Sequence, residues 1–231
     1  MKNYRNILFI GNSLTFYNNL PRLFEELSRK EGEMPYVESI TKGKWRLIWF
    51  ADPNDEMGAL VEQALSTKHY DLVILQDQSH FPVTHYDDFF GAVKKLRERI
   101  PADTDCLLYQ TWGYHPGLPE LEEFGFTQHS MTVKLCEAYR KAGKELGIPV
   151  SPVGTAFGRL NQTTPDDPML YLPDNRHPSQ AGSYLAALCL YGSIYGFTPA
   201  EVEFIPEFLE PETAAILKKA AADALKRPVL S

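Results

Sequence analysis

The chain has 231 residues, 44% of them hydrophobic, which is enough to bury a large core as one α/β domain over residues 1–231. Its net charge of -7 and its lack of a dense Lys/Arg cluster argue against a nucleic-acid surface, because phosphate binding needs concentrated positive charge. The cysteines Cys106, Cys136 and Cys189 have no Cys-x-x-Cys spacing and are typical of reduced core residues, and no apolar run is long enough to cross a bilayer.

The first predicted strand also bears on localisation. The apolar run over residues 7–10 begins before any signal-peptide pattern fits. We therefore expect a cytoplasmic protein as the sequence is written, and a periplasmic or secreted protein if a leader has been removed.

This first strand ends at a turn that presents a hydroxyl group. Residues 7–10 are hydrophobic without alternation, which is typical of a strand buried on both faces in a parallel sheet. The strand stops at Gly11, and Asn12 and Ser13 follow. Ligands collect at the carboxyl ends of such strands, so Ser13 is a candidate catalytic residue. On these residues alone, a turn in which Ser13 only caps the next helix fits equally well.

Hydrophobic periodicity and turn residues predict the remaining elements. We predict further strands over residues 34–40, 70–75, 106–109 and 147–150, and helices over residues 20–27, 56–66, 89–100, 131–146, 184–195 and 212–226. Asn18 and Asn19 before Leu20 and Pro21 indicate a helix start with asparagine as the cap. Residues 154–173 are irregular and polar, which indicates a loop region around a short helix.

Strands that alternate with helices indicate βαβ units and a parallel sheet. We therefore predict an α/β fold, built as a three-layer α/β/α sandwich around a mostly parallel five-stranded sheet. No Gly/Ser or Pro run divides the chain, and we find no internal repeat.

Asp174 and His177 have the spacing of a base and its orienting partner. A serine hydroxyl is a poor nucleophile until a neighbouring base removes its proton, and that base needs an acceptor to hold it. Three residues apart at the start of a helix, the two side chains can face the same way and leave one ring nitrogen free for Ser13. For Asp-x-x-His alone, a helix cap beside an exposed histidine is the more common arrangement.

Two short motifs near opposite ends of the chain together resemble one enzyme family. Gly11, Asn12 and Ser13 end the first strand, and Asp174 and His177 precede a core helix. This combination resembles the SGNH (GDSL-type) hydrolase superfamily, whose fold is a flavodoxin-like sandwich. The resemblance implies that Ser13 is the nucleophile, His177 the general base and acid, and Asp174 its orienting partner, with no cofactor and no metal.

The resemblance also implies hydrogen-bond donors for the oxyanion that forms when serine attacks a carbonyl. The family uses the N–H of the serine, a glycine N–H after the second strand and an asparagine in a Gly-x-Asn-Asp block after the third. Gly43 matches the glycine. Residues 75–79 read Leu-Gln-Asp-Gln-Ser, so Gln78 stands in place of the asparagine, as in a divergent branch. Glutamine carries the same amide donor one methylene further out.

Other residues near the predicted strand ends are candidates for substrate binding. We expect Asn12, Trp112 and His80 to line the site together with Gly43 and Gln78. The indole of Trp112 either stacks on a sugar ring or forms core beneath a loop, and the sequence leaves both open.

A metal or nucleotide site has less support. His80, His85, Asp87 and Asp88 lie close together in sequence, but they match no metal-ligand pattern, and a solvated loop is favoured. The Gly-x-Ser-x-Gly elbow of α/β-hydrolases and the Gly-rich nucleotide loops are absent.

The hypothesis from the sequence is a serine esterase that cleaves small acyl esters, with O-acetyl groups on carbohydrates as the preferred substrate. Its partners are then small-molecule or carbohydrate esters, without nucleic acid or a membrane span, and the oligomeric state is open. One alternative is an acyltransferase that uses the same site. Another is a catalytically silent carbohydrate-binding protein of the same fold, for which Gln78 is the main argument.

Overall fold

A five-stranded parallel sheet forms the centre of the computed structural model, which describes residues 4–29, 34–165, 167–196, 198 and 201–230. The strands are β1 (Asn6–Gly11), β2 (Tyr36–Thr41), β3 (Leu72–Leu75), β4 (Asp105–Tyr109) and β5 (Val150–Ser151). Their order is β2-β1-β3-β4-β5, and every neighbouring pair is parallel. The predicted α/β class is therefore confirmed, with the flavodoxin-like strand order that the family resemblance implies.

The register of β1 brings three strand ends together at one edge of the sheet. Gly11 pairs with Thr41 of β2, and Ile10 pairs with Leu75 of β3. The strand order reverses at β1, because β2 lies on one side of it and β3, β4 and β5 lie on the other. Ligands of doubly wound sheets bind in the crevice outside such a reversal, so the residues that follow these three strands face a common site.

Helices cover both faces of the sheet. They are α1 (Ser13–Phe16), α2 (Leu20–Leu27), α3 (Leu47–Phe50), α4 (Glu56–Thr67), α5 (Phe81–Thr84), α6 (Tyr86–Arg99), α7 (Pro119–Glu123), α8 (Gln128–Leu146), α9 (Val153–Thr163), α10 (Gln180–Tyr195) and α11 (Pro211–Lys226). A 3₁₀ turn over Tyr17–Asn19 joins α1 to α2. Within the described ranges, no helix combines the length and the apolar character of a bilayer-spanning segment.

Two hydrophobic cores lie on opposite faces of the sheet, because successive side chains of a strand alternate in direction. In β1, Ile7 and Phe9 belong to one core, Leu8 and Ile10 belong to the other, and all four are at most 1% exposed. Helices α2, α9, α10 and α11 complete the first core, and α3, α4, α6 and α8 contribute to the second. The unbroken apolar run of β1 is thus a strand buried on both faces, as its sequence predicts.

Helix α9 occupies much of the region for which the sequence predicts irregular structure. It runs for 11 residues, whereas the sequence analysis predicts only a short helix within a loop over residues 154–173. Gly154 accounts for the difference, because a Cβ at this position would lie 2.1 Å from the Thr111 carbonyl oxygen. This glycine permits close packing of the helix on the loop after β4 and does not break the helix.

Asn19 lies at the cap position before α2, but its side chain forms no capping hydrogen bond. Its backbone is left-handed, with φ 52, and that of Asn18 is left-handed as well, with φ 51. Asparagine tolerates this conformation better than most residues. The predicted asparagine cap is therefore correct in position and wrong in mechanism.

Candidate active site

Ser13 lies at the start of α1, directly beyond the carboxyl end of β1. Gly11 is the last residue of the strand, and a Cβ there would lie 2.6 Å from Gln76 Oε1, so a larger residue would displace that side chain. Asn12 then caps α1, since its Oδ1 accepts a hydrogen bond from the Leu14 N–H at 3.2 Å. The strand, the glycine and the cap together fix the hydroxyl group at the edge of the sheet.

His177 joins Ser13 and Asp174 in one chain of hydrogen bonds. Its Nε2 lies 2.9 Å from Ser13 Oγ, and its Nδ1 lies 2.5 Å from Asp174 Oδ2. The other carboxylate oxygen, Asp174 Oδ1, accepts the backbone N–H groups of Arg176 at 3.1 Å and of His177 at 3.0 Å. Asp174 therefore orients the imidazole with one oxygen and shapes the turn that carries it with the other. The structure brings together the three residues that the sequence proposes for catalysis.

The hydrogen bonds to Asp174 favour its ionised form. Burial alone would raise the pKa of this carboxyl group, but the bonds from the His177 imidazole and from the N–H groups of His177 and Arg176 lower it below its ordinary value. An ionised acceptor places the imidazole proton on Nδ1, which leaves Nε2 free to accept the proton of Ser13. The arrangement has the polarity that a general base needs.

A second set of contacts joins the segment after Ser13 to the histidine loop. The Tyr17 ring stacks on the His177 imidazole, with centroids 4.4 Å apart. Asn18 Nδ2 donates hydrogen bonds of 2.9 Å each to the Pro178 carbonyl oxygen and to Ser183 Oγ. One segment thus carries the hydroxyl group and holds the base. The sequence pattern predicts helix capping for Asn18 and Asn19 and does not reveal this role.

The two groups expected to bind an oxyanion lie on the loops after β2 and β3. Gly43 is exposed, and a Cβ there would lie 3.8 Å from the Phe16 ring, which places its loop beside α1. Gln78 is partly buried, and its Oε1 has no hydrogen-bond partner among the described residues. Its backbone is fixed, because its N–H donates to Asp77 Oδ1 at 2.7 Å. The carboxamide oxygen of Gln78 therefore has hydrogen-bonding capacity that no described residue uses.

Asn12 supports the turn that carries the nucleophile and does not face a ligand. It is 1% exposed, and its carboxamide donates to the Trp45 carbonyl oxygen at 2.9 Å and accepts from Gln76 Nε2 at 3.1 Å. Gln76 Oε1 in turn accepts the Asn12 N–H at 3.0 Å and the Thr15 hydroxyl at 2.8 Å. These contacts correct the expectation that Asn12 binds substrate. They also identify Gln76 as a brace that the sequence analysis does not single out.

Trp112 lies in the core, so the expectation that it forms a substrate wall is corrected. It is 1% exposed, and it stacks on Phe157 with ring centroids 4.1 Å apart. Its Nε1 donates to the Arg176 carbonyl oxygen at 3.4 Å, so the indole supports the loop that carries the base. The exposed ring beside the nucleophile is instead Phe16, which is 41% exposed and stacks on Tyr17.

His80 lies on the loop after β3 in an aromatic and charged cluster. Its Nδ1 is 2.8 Å from the Tyr114 hydroxyl, and its ring centroid is 4.5 Å from that of Phe124. Burial, followed by the positive charge of Arg176, lowers the pKa of His80 to about 4, so the imidazole is neutral at pH 7. A neutral, partly exposed ring is suited to the wall of a cleft, and its contact with substrate stays a prediction.

The histidines and aspartates after β3 do not assemble a metal site. Over the described ranges, no group of three or more His, Cys, Asp or Glu side chains is placed to hold a metal ion. The His85 ring stacks on Phe81 with centroids 4.2 Å apart. Asp87 and Asp88 lie in the first turn of α6, where carboxylates interact favourably with the helix dipole.

Comparison with solved structures places the chain in a family. A protein from Slackia heliotrinireducens classified as an SGNH hydrolase shares 32% sequence identity with it. The match covers 83% of this chain and 100% of that protein, with a TM-score of 0.74. The chain belongs to the SGNH hydrolases. The family resemblance of the Gly-Asn-Ser and Asp-x-x-His motifs is thereby confirmed.

Two further solved structures share the fold of this SGNH hydrolase at lower identity. A DUF4886 family protein from Bacteroides uniformis is 23% identical, covers 97% of this chain and 96% of its own, and has a TM-score of 0.78. A catalytic mutant of an acetylxylan esterase from Geobacillus stearothermophilus is 14% identical, covers 86% and 94%, and has a TM-score of 0.56. Comparisons with protein-family models and with curated proteins give no match.

Proposed function

We propose that this SGNH hydrolase is a serine esterase that cleaves small acyl esters. The observation that carries the proposal is the chain of hydrogen bonds from Asp174 through His177 to Ser13, with lengths of 2.5 and 2.9 Å. This chain lies at the carboxyl edge of the sheet, where the strand order reverses and ligands of such folds bind. A carboxylate, an imidazole and a hydroxyl group in this order make up the machinery of acyl transfer through a serine.

The reaction takes place in two steps that use the same three side chains. Ser13 Oγ attacks the ester carbonyl carbon while its proton passes to His177 Nε2, and Asp174 stabilises the resulting imidazolium. The C–O bond to the alcohol then breaks, and the proton on Nε2 goes to the departing alkoxide. Water repeats the sequence on the acyl-serine, with His177 as base and then as acid, and releases the carboxylic acid and free Ser13.

Three donors are available for the negative charge that develops on the carbonyl oxygen. The Ser13 N–H is the first of α1 and has no acceptor within that helix. Gly43 contributes a backbone N–H, and Gln78 contributes the NH₂ of its carboxamide. The terminal bond of glutamine has a broad two-fold rotation, so half a turn exchanges its oxygen and its NH₂. Donors arranged in advance of the reaction supply much of the rate enhancement in acyl transfer.

An O-acetyl group on a carbohydrate is the substrate that we propose. The exposed Phe16 ring beside the nucleophile provides an aromatic face on which an apolar sugar face can pack. The acetylxylan esterase with the same fold acts on an acetylated polysaccharide, and this supports the proposal by analogy.

Hydrolysis of p-nitrophenyl acetate and release of acetate from acetylated xylan test the proposal. We expect Ser13→Ala and His177→Ala each to reduce kcat for the aryl ester by about 10³-fold or more. Ser66→Ala, which changes an exposed serine at the distant end of α4, is the matched control and retains the wild-type rate. Equal rates for wild type and Ser13→Ala would remove Ser13 from the mechanism. Binding of acetylated xylan without any turnover would instead favour the silent binding protein.

A further inference from the structure

Arg46 lies at the mouth of the candidate active site, held there through both of its neighbours in sequence. The carbonyl oxygen of Trp45 accepts the hydrogen bond from Asn12 Nδ2 at 2.9 Å, so it lies beside the residue that precedes the nucleophile. The Leu47 N–H donates to Asp77 Oδ1 at 2.8 Å, beside the residue that precedes Gln78. The backbone of Arg46 is therefore fixed between the nucleophile turn and the loop of the proposed oxyanion donor.

The side chain of Arg46 is also fixed, by aromatic rings. The centre of its guanidinium lies 3.5 Å from the Phe81 ring centroid and 4.8 Å from that of Trp49. The opposite face of Phe81 is covered by the His85 ring, 4.2 Å away, so the stack cannot easily rotate. A guanidinium packed by its faces presents its N–H donors at its edge, in the plane that suits a carboxylate.

These donors have no acceptor in the part of the chain that the structure describes. Among the described residues, no carboxylate lies within ion-pairing distance of Arg46, and its guanidinium donates no hydrogen bond. Two neighbouring cations differ in this respect, because Lys42 pairs with Glu56 at 2.7 Å and Arg176 pairs with Glu120. Arg46 is partly buried. A partly buried cation without a partner lowers the stability of the fold, so its presence here is better explained by the binding of an anion.

The positive charge of Arg46 lowers the pKa of two residues of the same site, Asp77 and His80. Burial raises the pKa of Asp77, and the charge of Arg46 opposes that rise. For His80, burial and the charge of Arg176 lower the pKa, and Arg46 lowers it further. Arg46 therefore lies close to both of these side chains.

We propose that Arg46 determines specificity by binding a carboxylate on the alcohol part of the ester, so that the preferred substrates are acetylated hydroxy acids, acidic sugars included. This inference rests on the proposed esterase function and specifies its substrate class. The acetyl group is too small to carry a charge, so the anion belongs to the alcohol part. A net charge of -7 repels an anionic substrate at long range, and a local cation at the mouth of the site compensates for that repulsion.

The test compares release of acetate from 4-acetoxybenzoate, which carries a carboxylate, and from its uncharged methyl ester, methyl 4-acetoxybenzoate. Each kcat/KM is divided by the rate constant for hydroxide-catalysed hydrolysis of the same ester, which removes the difference in leaving group. We expect the ratio of the anionic to the neutral ester to fall about tenfold or more in Arg46→Gln, mainly through KM, since a hydrogen bond to a charged group is lost. Arg46→Lys keeps the charge without the planar donors, so its ratio should fall by less.

Arg29→Gln is the matched control, because it removes an exposed arginine just after α2, at the opposite edge of the sheet. Its ratio should equal that of the wild type. In the wild type, benzoate should inhibit hydrolysis of the neutral ester more strongly than benzamide does, because only the anion pairs with the guanidinium. This comparison decides the question even if Arg46→Gln does not fold.

An unchanged ratio in folded Arg46→Gln, or equal inhibition of the wild type by benzoate and benzamide, would overturn the proposal. Failure of the esterase function itself is a separate result, in which neither ester is turned over in a Ser13-dependent manner. Calorimetric binding of 4-acetoxybenzoate to wild type and to Arg46→Gln then still measures the anion site. Equal affinities would refute it, and an affinity lowered about tenfold in the variant would support it.

Discussion

Gln78 is the residue on which the oxyanion part of the mechanism depends, because it replaces the asparagine of the family pattern. Its Oε1 is buried without a partner in the described part of the chain, while its backbone N–H is fixed by Asp77. If the carboxamide donates to the oxyanion, Gln78→Ala should lower kcat by about 10²-fold with little change in KM. Steady-state kinetics with p-nitrophenyl acetate measure both constants.

Gln78→Glu is the sharper variant for the same question. It keeps the length of the side chain, removes the amide donor and places a negative charge where the oxyanion forms. We expect it to be slower than Gln78→Ala. A kcat near the wild-type value in both variants would transfer the role of donor to another group.

Asp77 is a buried carboxyl group whose ionisation opposes folding. Burial raises its pKa from 3.8 to about 6, against hydrogen bonds from the Leu47 and Gln78 N–H groups that lower it. The folded protein therefore holds this proton more tightly than the unfolded chain does. Stability from this group is present below pH 3.8 and is lost as the pH rises to about 6, with an upper limit of roughly 3 kcal/mol.

Asp77→Asn removes this loss, because an amide oxygen accepts the same two N–H groups without a charge. We compare the free energy of unfolding of Asp77→Asn with that of the wild type. We expect this difference to favour the variant by about 1–3 kcal/mol more at pH 7.5 than at pH 4. Urea unfolding at the two pH values measures the difference. A relative stability that is the same at both pH values would show that Asp77 does not titrate as described.

The sequence predicts the reacting side chains better than their surroundings. Ser13, Asp174 and His177 come together as proposed because each lies in a short motif whose local geometry is set by the chain itself. Trp112 could not be placed, because a tryptophan after a strand fits the core as well as a cleft. Asn12 and Gln76 brace each other across 64 positions of sequence, a contact that no local pattern shows.

The turn over Tyr17–Asn19 connects two elements of the site, α1 and the loop before α10. Asn18 ties this turn to Pro178 and Ser183, and Tyr17 covers the imidazole of His177. We interpret Asn18 as a positioning residue that acts on the base through the residue that follows it. Its left-handed backbone allows the carboxamide to reach both acceptors.

Asn18→Gly removes the side chain that positions the base and keeps the left-handed backbone, since glycine adopts a positive φ without cost. We expect kcat for p-nitrophenyl acetate to fall about tenfold or more while KM changes little, because the base loses its alignment and substrate contacts remain. The matched control is Asn19→Gly, whose parent side chain is exposed and makes no capping bond at a similar φ. If both variants keep the wild-type kcat, Asn18 does not position the base.

Secondary-structure elements were predictable where hydrophobic residues recurred at helical spacing over several turns or formed a long apolar run. The helices α2, α6, α8, α10 and α11 and the buried strands all appear near their predicted positions. The error at α9 has a tertiary cause, because its glycine is required by the Thr111 carbonyl oxygen packed against it. The role of Asn18 was missed for the same reason, since its partners Pro178 and Ser183 lie 160 and 165 positions away in sequence.

At the scale of the whole molecule, both hydrophobic cores share the sheet, and each strand except the short β5 contributes side chains to both. One core cannot lose its packing without exposing the strands that form the other. We therefore expect residues 1–231 to unfold as one cooperative domain. Urea unfolding followed by tryptophan fluorescence and by circular dichroism should give coincident transitions, whereas two separated midpoints would contradict a single domain.

The fold as a whole was predictable from the alternation of strands and helices, since few topologies satisfy right-handed parallel connections. The surroundings of Arg46, on which its proposed role depends, were not predictable. They depend on contacts between separate loops, such as that of Arg46 with Phe81, which the sequence does not show.

Covalent labelling by a fluorophosphonate ester tests the central claim most directly, because the probe reacts only with a serine that a base has activated. We expect one equivalent of phosphonate per chain, located on Ser13 by peptide mass spectrometry, with labelling lost in Ser13→Ala and strongly slowed in His177→Ala. Full ester hydrolysis by a protein that carries no phosphonate on Ser13, or stoichiometric labelling of a different residue, would contradict it.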